Sequence, residues 1–260
     1  MVNQRAYSVL GNIAIVNFPD KYNGSKKRFA DVILKQNKSI TTVLEKSKKF
    51  SGRLRKMNTK HLGGEKTKEV RYKENSCVFR FNIDESYFSP RLSNERKELA
   101  SKIKRGSEVL VMFAGVAPFS IVIAKNSKAK KIYSNEINRQ ANKYAELNLE
   151  LNKVKDKVEL VNGDIKRLVK QKKIRKKFDV IVMPRPQLKD MFLKEAFALS
   201  KKGTRIYYYG FCKEDELKEM IENIKQQAKD SRKKIKILKK KKAGELAPYK
   251  FRFRIDIKVI

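Results

Sequence analysis

Residues 108–121, EVLVMFAGVAPFSI, constrain the fold of this chain more than any other stretch. They read as a short apolar strand, Val109 to Met112, then a turn of small residues, Phe113 to Pro118, then a helix beginning near Phe119. Such a turn lets a ligand approach the backbone closely, and the helix after it offers free N–H groups. Any strand–helix–strand unit needs a turn like this, so the strands downstream decide its meaning. Lys131 to Glu136 reads as a second strand with an acid at its carboxyl end. Val158 to Asp164 reads as a third strand and Phe178 to Pro184 as a fourth. A strand, a helix and a second strand ending in an acid form the dinucleotide-type arrangement, in which the acid hydrogen-bonds a ribose.

The alternation continues to residue 211. A fifth strand spans Thr204 to Phe211, and helical stretches fall at Ser120–Ser127, Arg139–Leu151, Ile165–Lys173 and Leu188–Lys201. This predicts an α/β fold with a parallel, doubly wound sheet. A helix over Lys213–Asp230 comes next, then strands at Lys234–Leu238 and Tyr249–Val259 that can close the sheet with an antiparallel edge. That edge is the pattern of a Rossmann-like, class I S-adenosylmethionine-dependent methyltransferase more than of an NAD dehydrogenase. The dehydrogenase reading also lacks its G-x-G-x-x-G, since only Gly115 stands in the turn. The Lys239–Lys242 run between the closing strands reads as a solvated turn.

Residues 1–83 read as a small α+β unit, with 84–260 as the second domain. Tyr7 to Val16 is strand-like and broken by a Gly-Asn turn. Lys26 to Gln36 has helical spacing, with Phe29, Val32 and Ile33 on one face. Ile40 to Lys46 reads as a strand, and Arg71 to Ile83 alternates strongly enough to read as another. Between them lies a basic stretch, Lys46 to Arg55, expected to be a loop that is either merely solvated or in contact with phosphates and bases. Irregular residues 84–92 lead to a helix from Ser93 to about Lys104. Glu95 in its first turn suits the helix dipole, which alone accounts for an acid there.

The charge balance points to a partner. Lys and Arg total 64 against 28 acids, a formal net charge of +36. High-temperature adaptation enriches Lys but raises Glu with it, and here the acids lag, so a nucleic-acid partner is the better explanation. Two cysteines far apart, Cys77 and Cys212, fit a reducing cytoplasm and give neither a disulfide framework nor zinc spacing. The single histidine, His61, lies in a polar stretch and reads as a surface residue. No apolar run approaches membrane-spanning length, and no apolar signal core opens the chain. Neither a membrane nor a metal is expected, and a monomer is.

The combination YFSPRLSNER at Tyr87–Arg96, MFAGVAPFSI at 112–121, NEIN at 135–138 and NGD at 162–164 resembles the archaeal and eukaryotic tRNA (guanine-37, N1)-methyltransferases over nearly the whole chain. The resemblance implies S-adenosyl-L-methionine as cofactor and the tRNA anticodon loop as partner. It makes Glu95 the general base, and Arg55, in Gly52-Arg53-Leu54-Arg55, the arginine that holds the target guanine. Tyr87 becomes an aromatic at the active site, shared between cofactor and base, and Arg96 a residue lining the cofactor site. Glu136 takes the cofactor ribose, with Ile137 beside it, and Asp164 and Ile165 lie near the adenine. Phe113, Ala114, Gly115, Val116 and Pro184 complete the cofactor site, and Arg53, Arg91 and Arg185 join the RNA-binding set.

The chemistry agrees with such a set. The guanine N1 carries a proton and is a poor nucleophile until a carboxylate takes it. Charge then builds on the neighbouring exocyclic oxygen, where an arginine stabilises it. The sulfonium is already activated, so in-line positioning supplies much of the rest, without metal. The base must leave its loop stack to reach a pocket. Three positions depart from the family pattern. Val111 stands where an acid is usual, Ala117 where Gly is usual, and Pro184-Arg185-Pro186 where Asn-Leu-Pro is usual. Those departures keep two alternatives open: methylation of a wyosine precursor at the same tRNA position, and a non-catalytic RNA-binding role.

Overall fold

The structure, a computed structural model, describes residues 7–19, 21–51, 56–184, 188 and 190–260. The chain begins with a four-stranded sheet in the order β1-β2-β3-β4. Its strands are β1 (Tyr7–Leu10), β2 (Ile13–Val16), β3 (Thr42–Ser51) and β4 (Lys56–Gly64), with helix α1 (Lys26–Gln36) crossing between β2 and β3. Ser25 caps α1 by accepting from the Arg28 N–H at 3.3 Å, which satisfies one of the free donors of the first turn. Ala30 and Ile33 bury the apolar face of α1 against this sheet. His61 lies in β4, half-buried, with Nε2 3.1 Å from the Glu65 carbonyl.

Next comes a two-stranded hairpin, β5 (Glu69–Glu74) and β6 (Cys77–Asn82). The expected single strand over Arg71–Ile83 is therefore two. Asn75 and Ser76 form the turn at φ 48° and 60°, the left-handed pair that matches strand twist in a two-residue hairpin. The apolar alternation runs through both arms, so it conceals the reversal. The free edge of β6 is closed by helix α4 (Arg139–Leu151) and the residue after it. Asn148 exchanges hydrogen bonds with both backbone groups of Arg80 (2.8 and 3.1 Å), and Asn152 does the same with Val78 (2.9 and 2.6 Å). Two asparagines four apart thus act in place of a third strand.

The large sheet has seven strands in the order β12-β13-β11-β10-β7-β8-β9. They are β7 (Glu108–Met112), β8 (Lys131–Glu136), β9 (Val158–Asn162), β10 (Phe178–Met183), β11 (Ser200–Lys213), β12 (Ile235–Ala247) and β13 (Lys250–Val259). β7 to β11 run parallel, and β13 lies antiparallel between β11 and β12. Helices α2 (Ser93–Ser101), α3 (Pro118–Asn126) and α4 cover one face; α5 (Ile165–Lys170), α6 (Leu193–Ala198) and α7 (Leu217–Asp230) connect the strands on the other. Val109 to Met112 are wholly buried at the centre, each worth about 1.5–3 kcal/mol of apolar burial. This is the doubly wound class and the antiparallel edge that the sequence pattern predicts.

Four local expectations change. The Lys239–Lys242 run is not a turn; it lies inside β12, with Lys240 to Lys242 paired to Ile255 to Phe253 of β13. An edge strand with one solvated side tolerates lysines that a central strand would not. The helix expected over Leu188–Lys201 is only α6, because Ser200 already opens β11. α7 begins at Leu217, after Glu216 has turned its carboxylate to the Lys213 N–H at 2.8 Å. Residues 46–51 of the expected basic loop belong to β3, and residues 52–55 lie outside the described residues.

Candidate active site

A cavity opens at the carboxyl ends of β7, β8 and β10, where open α/β sheets bind their ligands. Its floor is the turn after β7. Phe113 (φ 59°), Gly115 (φ 58°) and Ala117 (φ 65°) all adopt left-handed backbone there. Ala117 does so with a side chain, at the place where the sequence departs from glycine, and Pro118 then starts α3. A Cβ on Gly115 would sit 3.5 Å from the Tyr87 carbonyl, on the cavity side of the turn.

Glu136 ends β8 and faces this turn. One carboxylate oxygen accepts from the Gly115 N–H at 2.7 Å, and the other from the Ile137 and Asn138 N–H groups at 2.8 Å each. Burial pushes its carboxyl above the ordinary glutamate range, although the three N–H groups pull the other way. Beyond Glu136 the cavity is lined by Ile137, Gly163, Asp164 and Ile165. Asp164 caps α5, accepting from the Lys166 N–H at 2.9 Å. Pro184, Leu188 and Phe192 form the opposite wall, and the Phe192 ring meets Phe113 edge-on at 4.9 Å.

Tyr87, Ser89, Leu92, Arg96, Tyr209 and Arg252 line the far end. Arg96 is buried between the rings of Phe88 and Phe119, 5.1 and 5.6 Å from their centroids. Its fork grips Glu74, with Nη2 2.6 Å from Oε2 and Nε on Oε1, so the β5–β6 hairpin holds it in place. Glu95 is buried just behind this end. Its Oε2 accepts from the Tyr209 hydroxyl at 3.1 Å and from Arg254 Nη1 at 2.6 Å, and its Oε1 pairs with Lys241. Arg254 also binds Glu98 at 2.8 Å and Asp256 at 2.7 Å. The Arg254 guanidinium holds the Glu98 carboxyl well below the usual carboxylate range, and burial raises the Tyr209 phenol well above its ordinary value.

The structure therefore brings together on one cavity Tyr87, Arg96, Phe113, Ala114, Gly115, Glu136, Ile137, Asp164, Ile165 and Pro184. Val116 does not line it; the residue is wholly buried and its carbonyl accepts from Asn148 Nδ2 at 3.2 Å. Arg91 is exposed and outside it, with Nη1 3.5 Å from the Glu245 carbonyl. Arg53, Arg55 and Arg185 lie outside the described residues. Sequence reasoning missed Tyr209, Lys241, Arg252 and Arg254. The signal was the F-R-F-R-I-D-I pattern of β13. Its alternate charged residues share one face, and only the sheet order, which makes β13 an interior strand with α2 over that face, shows that they are buried. Among the described residues no group of three or more His, Cys, Asp or Glu is placed to hold a metal ion, and no helix is long and apolar enough to cross a membrane.

The sheet, the left-handed turn and the acid at the end of β8 define a class I methyltransferase. Residues 70–238 match the TRM5/TYW2 methyltransferase domain, and residues 3–67 match the TYW2 N-terminal domain. The chain belongs to the TRM5/TYW2 methyltransferase family. It is 34% identical over 98% of its length to the tRNA (guanine(37)-N(1))-methyltransferase Trm5b of Pyrococcus abyssi, covering 74% of that protein. It is 33% identical to the tRNA (guanine(37)-N(1))/4-demethylwyosine(37)-methyltransferase Taw22 of Nanoarchaeum equitans, over 98% of this chain and all of that one. The crystal structure of Pyrococcus abyssi Trm5b superposes with a TM-score of 0.85 at 33% identity, covering 97% of this chain and 74% of that one. A complex of aTrm5 with tRNALeu superposes at 0.83 and 26% identity, covering 98% and 72%.

Proposed function

We propose that the chain transfers a methyl group from S-adenosyl-L-methionine to N1 of the guanine at position 37 of tRNA. The observation that supports this most is the cavity itself: a ribose-type acid, Glu136, at one end and the buried Glu95–Tyr209 pair at the other, with Tyr87 and Arg96 between. The residues fit the cofactor. Glu136 would hold its ribose hydroxyls, Ile137, Asp164 and Ile165 its adenine, and the backbone of the 113–117 turn its amino-acid arm. Bound there, the cofactor supplies an activated methyl group on a sulfonium.

Glu95 serves as general base in this reading. The N1 proton moves to its carboxylate, the nitrogen pair attacks the methyl carbon, and the carbon–sulfur bond breaks with its electrons left on sulfur. Oε2 already accepts from two donors and Oε1 from one, so the N1 proton is received at Oε1, and the donor there moves aside to admit the base. Lys241 is the group able to do so, because its side chain is 33% exposed while Arg254 is at 0%. Glu95 then faces the guanine with Tyr209 and Arg254 still orienting it. Tyr87 stacks on the turned-out base, and Arg55 and Arg185 contact it or its phosphates. Arg53 and Arg91 widen the basic surface, and residues 1–83 form an RNA-contacting domain beside the methyltransferase domain at 84–260. The +36 net charge supports a polyanion partner. We place the chain in the cytoplasm as a monomer, where Cys77 and Cys212, both free and buried, stay reduced.

The test is methylation with labelled cofactor of unmodified tRNA transcripts carrying guanine or adenine at position 37, followed by nucleoside analysis. Label in 1-methylguanosine from the guanine transcript alone supports the proposal. Cofactor binding without label overturns it in favour of a wyosine precursor as the sole substrate or of a binding role. A second substrate, 4-demethylwyosine at the same position, is favoured by the likeness to the Nanoarchaeum equitans enzyme, which is named for both reactions. Transfer to tRNA carrying that base tests it separately.

A further inference from the structure

The face of β13 that looks toward α2 carries Arg252, Arg254 and Asp256, opposite Phe211, Tyr209 and Tyr207 of β11. Alternate residues of a strand share a face, so these three charges form one row leading up to the cavity. Deeper in the row every charge is matched. Arg254, Lys241 and Lys102 pair with Glu95, Glu98 and Asp256, three cations with three carboxylates. Of the two arginines lining the cavity among the described residues, Arg96 is gripped by Glu74. Arg252 is only 7% exposed, yet among the described residues no carboxylate pairs with it; the Phe211 ring lies 5.3 Å from its guanidinium carbon. A ring contact offsets part of the desolvation, but a buried guanidinium with no anion is costly. Its position on the lining, beside Tyr209, is what such a group would have if its anion arrived with a ligand.

We infer that Arg252 receives an anionic oxygen of the target nucleotide. The inference rests on the proposed methyl transfer to guanine. Arg252 lies on β13, next to the β11 strand that carries Tyr209 and with β11, β10 and β7 between it and the β8 strand that ends in Glu136, which places it with the base to be methylated rather than with the ribose and adenine. Two oxygens of that nucleotide have the chemistry: the exocyclic oxygen, which gains charge as N1 loses its proton, and the phosphate, which the planar fork of an arginine fits well.

Arg252→Met and Arg252→Gln test this against wild type by single-turnover methylation of the guanine-37 transcript, with calorimetric titration of S-adenosylhomocysteine and a thermal melt. Two variants are made so that one that fails to fold leaves the other to read. If the exocyclic oxygen is the ligand, the rate at saturating tRNA and cofactor falls by about 100-fold. If the phosphate is, the rate holds and the tRNA concentration needed rises by about tenfold or more. In both cases affinity for S-adenosylhomocysteine stays within about twofold. A loss of that affinity by about tenfold with an unchanged saturated rate would assign Arg252 to the cofactor carboxylate and overturn the inference, as would variants that match wild type throughout. An inactive wild-type chain removes the guanine reading and this inference together; an active wild type with equally active variants removes only the inference.

Discussion

Two carboxylates mark the two ends of the cavity, and they are held in opposite ways. Glu136 is held by backbone N–H groups at 2.7 to 2.8 Å, all from its own strand end and the neighbouring turn. Glu95 is held by side chains from β11, β12 and β13, 114 to 159 residues away along the chain. The first arrangement is part of the fold: wherever β7 and β8 pair and turn, those N–H groups converge. The second is an assembly of charges that any one substitution can unbalance. The Glu136 end is thereby rigid by construction, while the Glu95 end can be adjusted, and part-exposed Lys241 gives it one donor that can leave.

The comparison predicts a graded series. Arg254→Met should do the most damage to the folded chain, because it leaves Glu95, Glu98 and Asp256 buried or half-buried without their shared cation. A loss of about 3–5 kcal/mol is expected in denaturant unfolding. The acid limb should change as well. Glu98 has a depressed carboxyl, so its contribution is present above the unfolded carboxylate range and is lost as pH falls toward the depressed value. Without Arg254 that part of the pH dependence should flatten. Glu136→Gln should weaken cofactor binding by about 1.5–3 kcal/mol in calorimetry, the worth of a hydrogen bond to a charged group. Wild-type affinity should also fall on acidification from a higher pH than an ordinary glutamate would give, because burial raises this carboxyl and its protonated form loses an acceptor. Glu136→Gln should erase that dependence. Asn148→Ala, which strips both backbone groups of Arg80 and the Val116 carbonyl of their partner, should cost about 1–3 kcal/mol. The smallest effect concerns the thiols. Burial pushes Cys77 and Cys212 up to about 11, so both should alkylate far more slowly in the folded chain than in denaturant at mildly alkaline pH.

The same contrast explains what could be read from the sequence. β8 and α4 fall on the expected residues, Lys131–Glu136 and Arg139–Leu151, because their patterns are local. The position of Glu136 was legible for the same reason: it ends a strand next to a small-residue turn, and its carboxylate meets that turn. The partners of Glu95 were not. Nothing near it in the chain hints at Arg254 or Lys241, and Lys241 sits in a lysine run that looks solvated. Asn148 and Asn152 are equally hidden, since asparagines on or beside a helix read as surface until a hairpin edge is laid against them. The family resemblance supplied Glu95 as a residue of interest; the contacts that hold it came only with the sheet order.

The separation of the two ends is best tested on Glu95→Gln, by measuring cofactor affinity and single-turnover methylation of guanine-37 tRNA on one preparation. The account predicts affinity within about twofold of wild type and a rate lower by about 100- to 10,000-fold, since a general base is removed and the cofactor end is untouched. Turnover equal to wild type would contradict it, and so would a loss of cofactor binding as large as that of Glu136→Gln.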